Sequence, residues 1–122
     1  MNAFRAAVEH GDLDAMRAAL HPDVAFRSPA VFTPYEGRDT VMGLLAHVFE
    51  VFEDFEYTDE LAGDNTHALI FRAVAGGKQV EGLDHLTLDA DGLVTQLVVM
   101  VRPLSGLIVL AQEMGARLEA AP

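Results

Sequence analysis

The chain has 122 residues, 51% hydrophobic and 22% charged, with 8 Lys plus Arg against 19 Asp plus Glu for a formal charge of −11. That length and balance suit one globular domain with a real core, while so acidic a surface repels phosphate backbones and anionic lipids, so neither nucleic acid nor a membrane is an expected partner. Cys is absent, which removes disulfide and thiolate chemistry; with no basic-then-apolar start at Met1–Arg5 and no apolar stretch of the roughly 18 residues a span needs, a soluble cytoplasmic protein is expected.

Phe4, Ala7 and Val8 recur at helical spacing, and Gly11 stops that first helix. Asp12 is placed to cap a second helix through its side-chain oxygen, with Asp14 favourable in the first turn and Leu13, Met16 and Leu20 as the buried stripe. His21-Pro22 ends it, because a residue before Pro is driven out of the helical region. Val24, Phe26 and Ser28 then share one face of a short strand ending at Pro29, and Val31-Phe32 is expected to form another brief strand before the turn at Pro34-Tyr35-Glu36-Gly37. Asp39 or Thr40 caps a third helix whose apolar face carries Val41, Leu44, Leu45, Val48, Phe49 and Phe52. Glu50, Glu53 and His47 fall on its solvated side.

From Phe55 the period changes to two, with Phe55 and Tyr57 alternating with acids. Asp64-Asn65 turns the chain into a strand over Thr66–Ala75, Gly76-Gly77 is a hairpin signal, and Lys78–Leu88 returns. A further turn at Asp89-Ala90-Asp91-Gly92 leads into Leu93–Val101, giving an antiparallel meander. After Pro103, the residues Leu104, Leu107, Ile108, Ala111, Met114 and Leu118 mark a closing helix of about four turns. The order predicts an α+β domain over residues 1–122, with helices on one face of a curved sheet. Ala68–Val74 and Leu97–Val101 are apolar on both faces, so the second face needs a cover. A second subunit is the simplest one and the C-terminal helix the alternative; a homodimer is the expectation.

Within Val80-Glu81-Gly82-Leu83-Asp84-His85-Leu86-Thr87-Leu88, alternation puts Asp84 on one face with Leu86 and Leu88. A carboxylate among aliphatic side chains loses solvation, so its pKa rises unless donors compensate. Such carboxylates are common in active sites and occur also as satisfied structural groups. His85 points to the opposite face, and His47 and His67 have no assignable role. The five His show no metal spacing, so neither a metal nor a cofactor is expected. Arg102 reads more simply as a cap for carbonyls or a partner of a surface acid than as a substrate contact, and Arg72 is a cation whose strand face the alternation leaves open.

Ala18-Ala19-Leu20-His21-Pro22-Asp23-Val24, Phe26-Arg27-Ser28-Pro29, Tyr35-Glu36-Gly37-Arg38, Leu83-Asp84-His85-Leu86 and Asp91-Gly92-Leu93-Val94, in that order, resemble the nuclear-transport-factor-two-like superfamily. The nearest flavour is its SnoaL-like group of polyketide cyclase relatives and ketosteroid isomerase. The resemblance implies a cystatin-like cone: a strongly curved, mostly antiparallel sheet wrapped around the N-terminal helices, with an apolar cavity and a C-terminal helix. It also implies a dimer through the outer sheet face. The protonated-Asp donor of ketosteroid isomerase matches Asp84, but its general base falls on Ser28 and its oxyanion Tyr on Phe4, so two of three groups are missing. The epoxide-hydrolase pattern of two Asp and an Arg is not met either. Polyketide-cyclase relatives resemble a simpler case, in which one Asp serves as acid and base. The resulting expectation is a domain that binds or converts a small hydrophobic molecule, with Asp84 as the catalytic candidate. Phe4, Phe26, Ser28, Val31, Phe32, Tyr35, Leu86 and Met100 are expected to shape its pocket. The rival expectation is a non-enzymatic binding or dimerisation module.

Overall fold

The computed structural model describes residues 2–120; Met1, Ala121 and Pro122 of the expected domain lie outside the described residues. Helix α1 (Ala3–Glu9) is capped by Asn2, whose side-chain oxygen accepts the Arg5 N–H at 3.0 Å. Gly11, at φ 64°, turns the chain, and Asp12 caps α2 (Leu13–Ala19) by accepting the Ala15 N–H. The second helix ends two residues before the His21-Pro22 pair. Leu20 therefore leaves the helical stripe and opens β1 (Leu20–Arg27), where it is fully buried opposite Val94.

Val31-Phe32 forms no strand. The second strand, β2, is the two-residue Tyr35–Glu36, paired antiparallel with Ala25 and Phe26. Pro29 and Pro34 bracket the intervening loop, and each removes a ladder donor, so the segment bends instead of pairing. Helix α3 (Arg38–Val51) begins from Gly37 at φ 95° without a side-chain cap. Asp39 and Thr40, the alternatives expected as its cap, both lie inside the helix, where Asp39 pairs with Arg17. Phe52 leaves this helix and starts β3 (Phe52–Ala62).

Four strands then run as an antiparallel meander: β3, β4 (Thr66–Ala75), β5 (Lys78–Leu88) and β6 (Val94–Arg102). Gly76 and Gly77 both have positive φ, at 53° and 79°, which is what a two-residue hairpin with the right twist demands. The sheet order is β2-β1-β6-β5-β4-β3, with β1 and β6 parallel and all other neighbours antiparallel. Register shifts between Glu53 and Glu56, and between Tyr57 and Asp59, bend β3 inward.

The concave side holds the core, where Phe4, Met16, Leu20, Val24, Val41, Leu69, Phe71, Leu86 and Leu97 are almost wholly shielded from water. Burying each such side chain contributes about 1.5–3 kcal/mol. Helix α4 (Leu104–Ala120) covers the rest of that side, its Leu110 packing with Val51 and Ala75. The C-terminal helix thus lies against the concave side. Ile70, Leu83, Val98 and Met100 point the other way by strand alternation and register. No described helix is long and apolar enough to cross a membrane.

Candidate functional site

Asp84 sits mid-strand in β5, opposite Leu69 of β4 and Val99 of β6, with its side chain on the concave side and only 7% exposed. Two residues earlier Gly82 faces Phe71. A Cβ at Gly82 would stand 2.7 Å from the Phe71 ring and 2.2 Å from the Met100 carbonyl oxygen, so the missing side chain lets that ring lie flat on the strand. The bend of β3 carries Tyr57 over the concave face. Its hydroxyl donates to Asp84 Oδ2 at 2.8 Å. Burial pushes the Asp84 carboxyl up to about 7, with the Tyr57 bond opposing the rise by favouring the anion. Burial also drives the Tyr57 phenol far up, and the neighbouring Asp84 charge reinforces this, so the phenol stays a donor.

The Tyr57 ring also carries a charged cluster. The Arg5 guanidinium stands over the Tyr57 ring, 5.5 Å from its centroid. Arg5 donates to Glu60 at 2.9 Å and pairs with Glu9 at 3.4 Å, while His67 Nδ1 lies 3.0 Å from the other Glu60 oxygen. The Glu60 bond holds the Arg5 pKa above its ordinary value, and the Arg5 bond holds the Glu60 carboxyl below its own. These partners clamp the face of the ring that orients the phenol.

In front of Asp84 opens a cavity of about 290 Å³ walled by the sheet, α3 and α4. That is near the low end of small-molecule sites, roughly 300–1,000 Å³. Its wall is apolar, with a cluster of aromatic rings among aliphatic side chains. Phe55 stacks on Phe71 with centroids 4.9 Å apart, Phe52 lies 5.6 Å from Phe71, and Phe49 meets Phe55 edge-on at 5.6 Å. Helix α4 contributes Leu107, Leu110, Ala111, Met114, Gly115 and Leu118.

Of the residues expected around a pocket, Phe4, Phe26, Ser28, Val31 and Tyr35 line this cavity together with Asp84. The three positions matched to ketosteroid isomerase groups, Phe4, Ser28 and Asp84, therefore converge on one space. The Ser28 hydroxyl is occupied locally, accepting the Ala30 N–H at 3.0 Å. Phe32, Leu86 and Met100 are not in the lining. Phe32 is 94% exposed on the unpaired loop. Met100 pairs with Leu83 in register, so alternation turns it to the outer face, where it is 55% exposed. Leu86 shares the face of Asp84 as expected but is sealed in the solid core.

Tyr57, Phe55, Phe71 and the walls supplied by α3 and α4 are absent from the residues expected around the pocket. Tyr57 and Phe55 carried a signal, because both alternate with acids on one strand face. What sequence lacked was the bend in β3 that brings them across β4. Among the described residues no three His, Asp or Glu side chains gather as a metal would require. The described lining carries Asp84 as its one carboxylate and no basic residue. Chemically, the site offers an apolar volume and a single carboxyl poised to exchange a proton near neutrality.

The SnoaL-like domain profile matches residues 1–97. Among solved structures, a steroid delta-isomerase from Pseudomonas aeruginosa is 39% identical, with TM-score 0.91 over 96% of this chain and 87% of that one. An uncharacterized conserved bacterial protein with a cystatin-like fold, from Silicibacter pomeroyi DSS-3, is 32% identical at TM-score 0.91, covering 96% of this chain and 83% of that one. A SnoaL-like protein of unknown function from Burkholderia thailandensis shares the fold at 18% identity and TM-score 0.68, over 83% of this chain and 90% of that one. No curated protein matches the chain. On the domain match and the two relatives above 30% identity, the chain belongs to the SnoaL-like domain family of the nuclear-transport-factor-two-like, cystatin-like fold.

Proposed function

We propose that the domain binds a small, largely hydrocarbon molecule in the cavity between the sheet, α3 and α4, with Asp84 as its polar contact and as the group that exchanges a proton with it. One observation carries this reading: the Asp84 carboxyl is buried at the wall of an apolar cavity, with Tyr57 bonded to one of its oxygens. A fully structural Asp would sit in solid core with both oxygens bonded. The likeness to a steroid delta-isomerase agrees with a hydrophobic ligand, though Phe4 and Ser28 replace the groups that chemistry would use. A binding role without chemistry is the second reading. It is favoured by Asp84 being the only carboxylate in the described lining.

The direct test is binding of the neutral fluorescent probe N-phenylnaphthylamine. The expected result is saturable enhancement of its emission in the wild type, lost in Gly115→Leu, whose side chain would enter the cavity. Enhancement that is absent, or unchanged in that variant, would overturn the reading. Homodimerisation through the outer face is part of the same proposal, supported by the outward apolar run of half-buried Ile70, Leu83 and Val98 with exposed Met100. A monomer by sedimentation would remove it. The proposed setting is the cytoplasm, an expectation that rests on sequence alone.

A further inference from the structure

The cavity pairs two features that neutral hydrocarbon ligands do not need together. One is a carboxyl group with no cation of its own. The Arg5 guanidinium, over the ring of the Tyr57 that bonds Asp84, is already engaged by Glu60 and Glu9. The other is a concentration of aromatic surface, with Phe4, Phe26, Phe49, Phe52, Phe55 and Phe71 all in the lining. Aromatic faces attract cations through their quadrupole, most strongly where water is excluded. A buried carboxylate without a counter-charge is costly, and a ligand cation would supply one.

The lining also limits what else could fit. With no Lys, Arg or His among its described residues, an anionic ligand would find no counter-charge. The net charge of −11 draws cations toward the protein and repels anions. We infer that the preferred ligand of this cavity is a hydrophobic amine, its ammonium group ion-paired with Asp84 and its hydrocarbon body packed among the phenylalanines. This rests on the reading of the cavity as a ligand site and adds the chemical class.

An ammonium and a neutral hydrogen-bond acceptor make opposite demands on Asp84. The amine needs the carboxylate, whereas an alcohol or ketone accepting from Asp84 needs the carboxylic acid. The groups facing Asp84 leave that contrast legible. β3 brings the Tyr57 phenol with the apolar Phe52 and Phe55, β4 Leu69 and Phe71, β6 Val99, and α3 and α4 apolar side chains. Arg5 of α1 is held over the Tyr57 ring by Glu60 and Glu9, and His67 is bonded to Glu60. An alkylamine stays protonated up to about pH 10.4, the lysine value, so below that limit Asp84 is the group whose charge changes in the pair.

Displacement of bound N-phenylnaphthylamine by phenylbutylamine and by phenylbutanol, of nearly equal shape, tests the inference. The amine is expected to bind the wild type about tenfold or more tightly than the alcohol at about pH 8, with its affinity rising from about pH 5 to about pH 8. In Asp84→Asn that preference should vanish while the dye still binds. Equal binding of the two compounds, or an amine affinity that falls as pH rises, would overturn the inference and leave the cavity reading intact. If Asp84→Asn does not fold, the pH dependence of the wild type alone decides. Failure of the dye itself to bind would overturn the cavity reading and this inference with it.

Discussion

The Tyr57 hydroxyl donates to Asp84 Oδ2 across 2.8 Å, joining β3 to β5 over the intervening β4. It is the one hydrogen bond from a described side chain to a carboxyl that burial alone would hold neutral at a higher pH. Tyr57→Phe removes it. The Asp84 pKa should then rise above about 7, and the anion should lose its donor. The expected cost is about 1–3 kcal/mol above neutrality, where an ionised buried group is left unsatisfied, and less at about pH 5. Urea unfolding at the two pH values measures this.

The same carboxyl sets a pH dependence of stability. Its folded pKa of about 7 lies above the ordinary 3.8, so the folded state holds the proton more tightly than the unfolded chain does. The associated stability is fully present below about pH 4, declines as pH rises toward about 7, and is level above, for a total on the order of 4 kcal/mol. Asp84→Asn should flatten that decline and be the more stable protein at about pH 8. Its amide oxygen can still accept from Tyr57. Paired urea titrations of the two proteins check the prediction.

Gly82 is predicted to be intolerant of even one carbon. The added Cβ would meet the Met100 carbonyl, which is backbone and cannot swing aside, and the Phe71 ring. Gly82→Ala should cost about 1–3 kcal/mol or more and shift Phe71 within the cavity wall. Thermal unfolding gives the cost, and the aromatic region of the proton NMR spectrum reports the shift.

Gly115 should behave in the opposite way. It lies in α4 at the cavity lining, and a Cβ there would meet nothing within 4 Å. Gly115→Ala should therefore raise stability by about 0.5–1 kcal/mol through helix propensity alone. Thermal or urea unfolding is sufficient to see it.

Much of this fold could be read from the residues, and the reasons are local. The Gly76-Gly77 pair dictates its hairpin by φ alone, and strict alternation around Asp84 is enough to put that carboxyl on the same face as Leu86, the concave one. The failures arise where a tertiary relationship overrules a short pattern. Val31-Phe32 looks like a strand but is pinned between two prolines. Met100 looks like a pocket residue, yet its register with Leu83 turns it outward. Tyr57 is 27 residues from Asp84, and only the irregular register of β3 brings the two together. No periodicity within either strand encodes that contact.

The proposed function requires Asp84 to titrate near neutrality inside a cavity that a ligand can enter. Carbon NMR of the Asp84 carboxyl, assigned through its loss in Asp84→Asn, follows that proton directly. The expected midpoint is about 7, and it moves when phenylbutylamine saturates the protein. A midpoint near the ordinary 3.8, or one unmoved by any probe that binds, would contradict it.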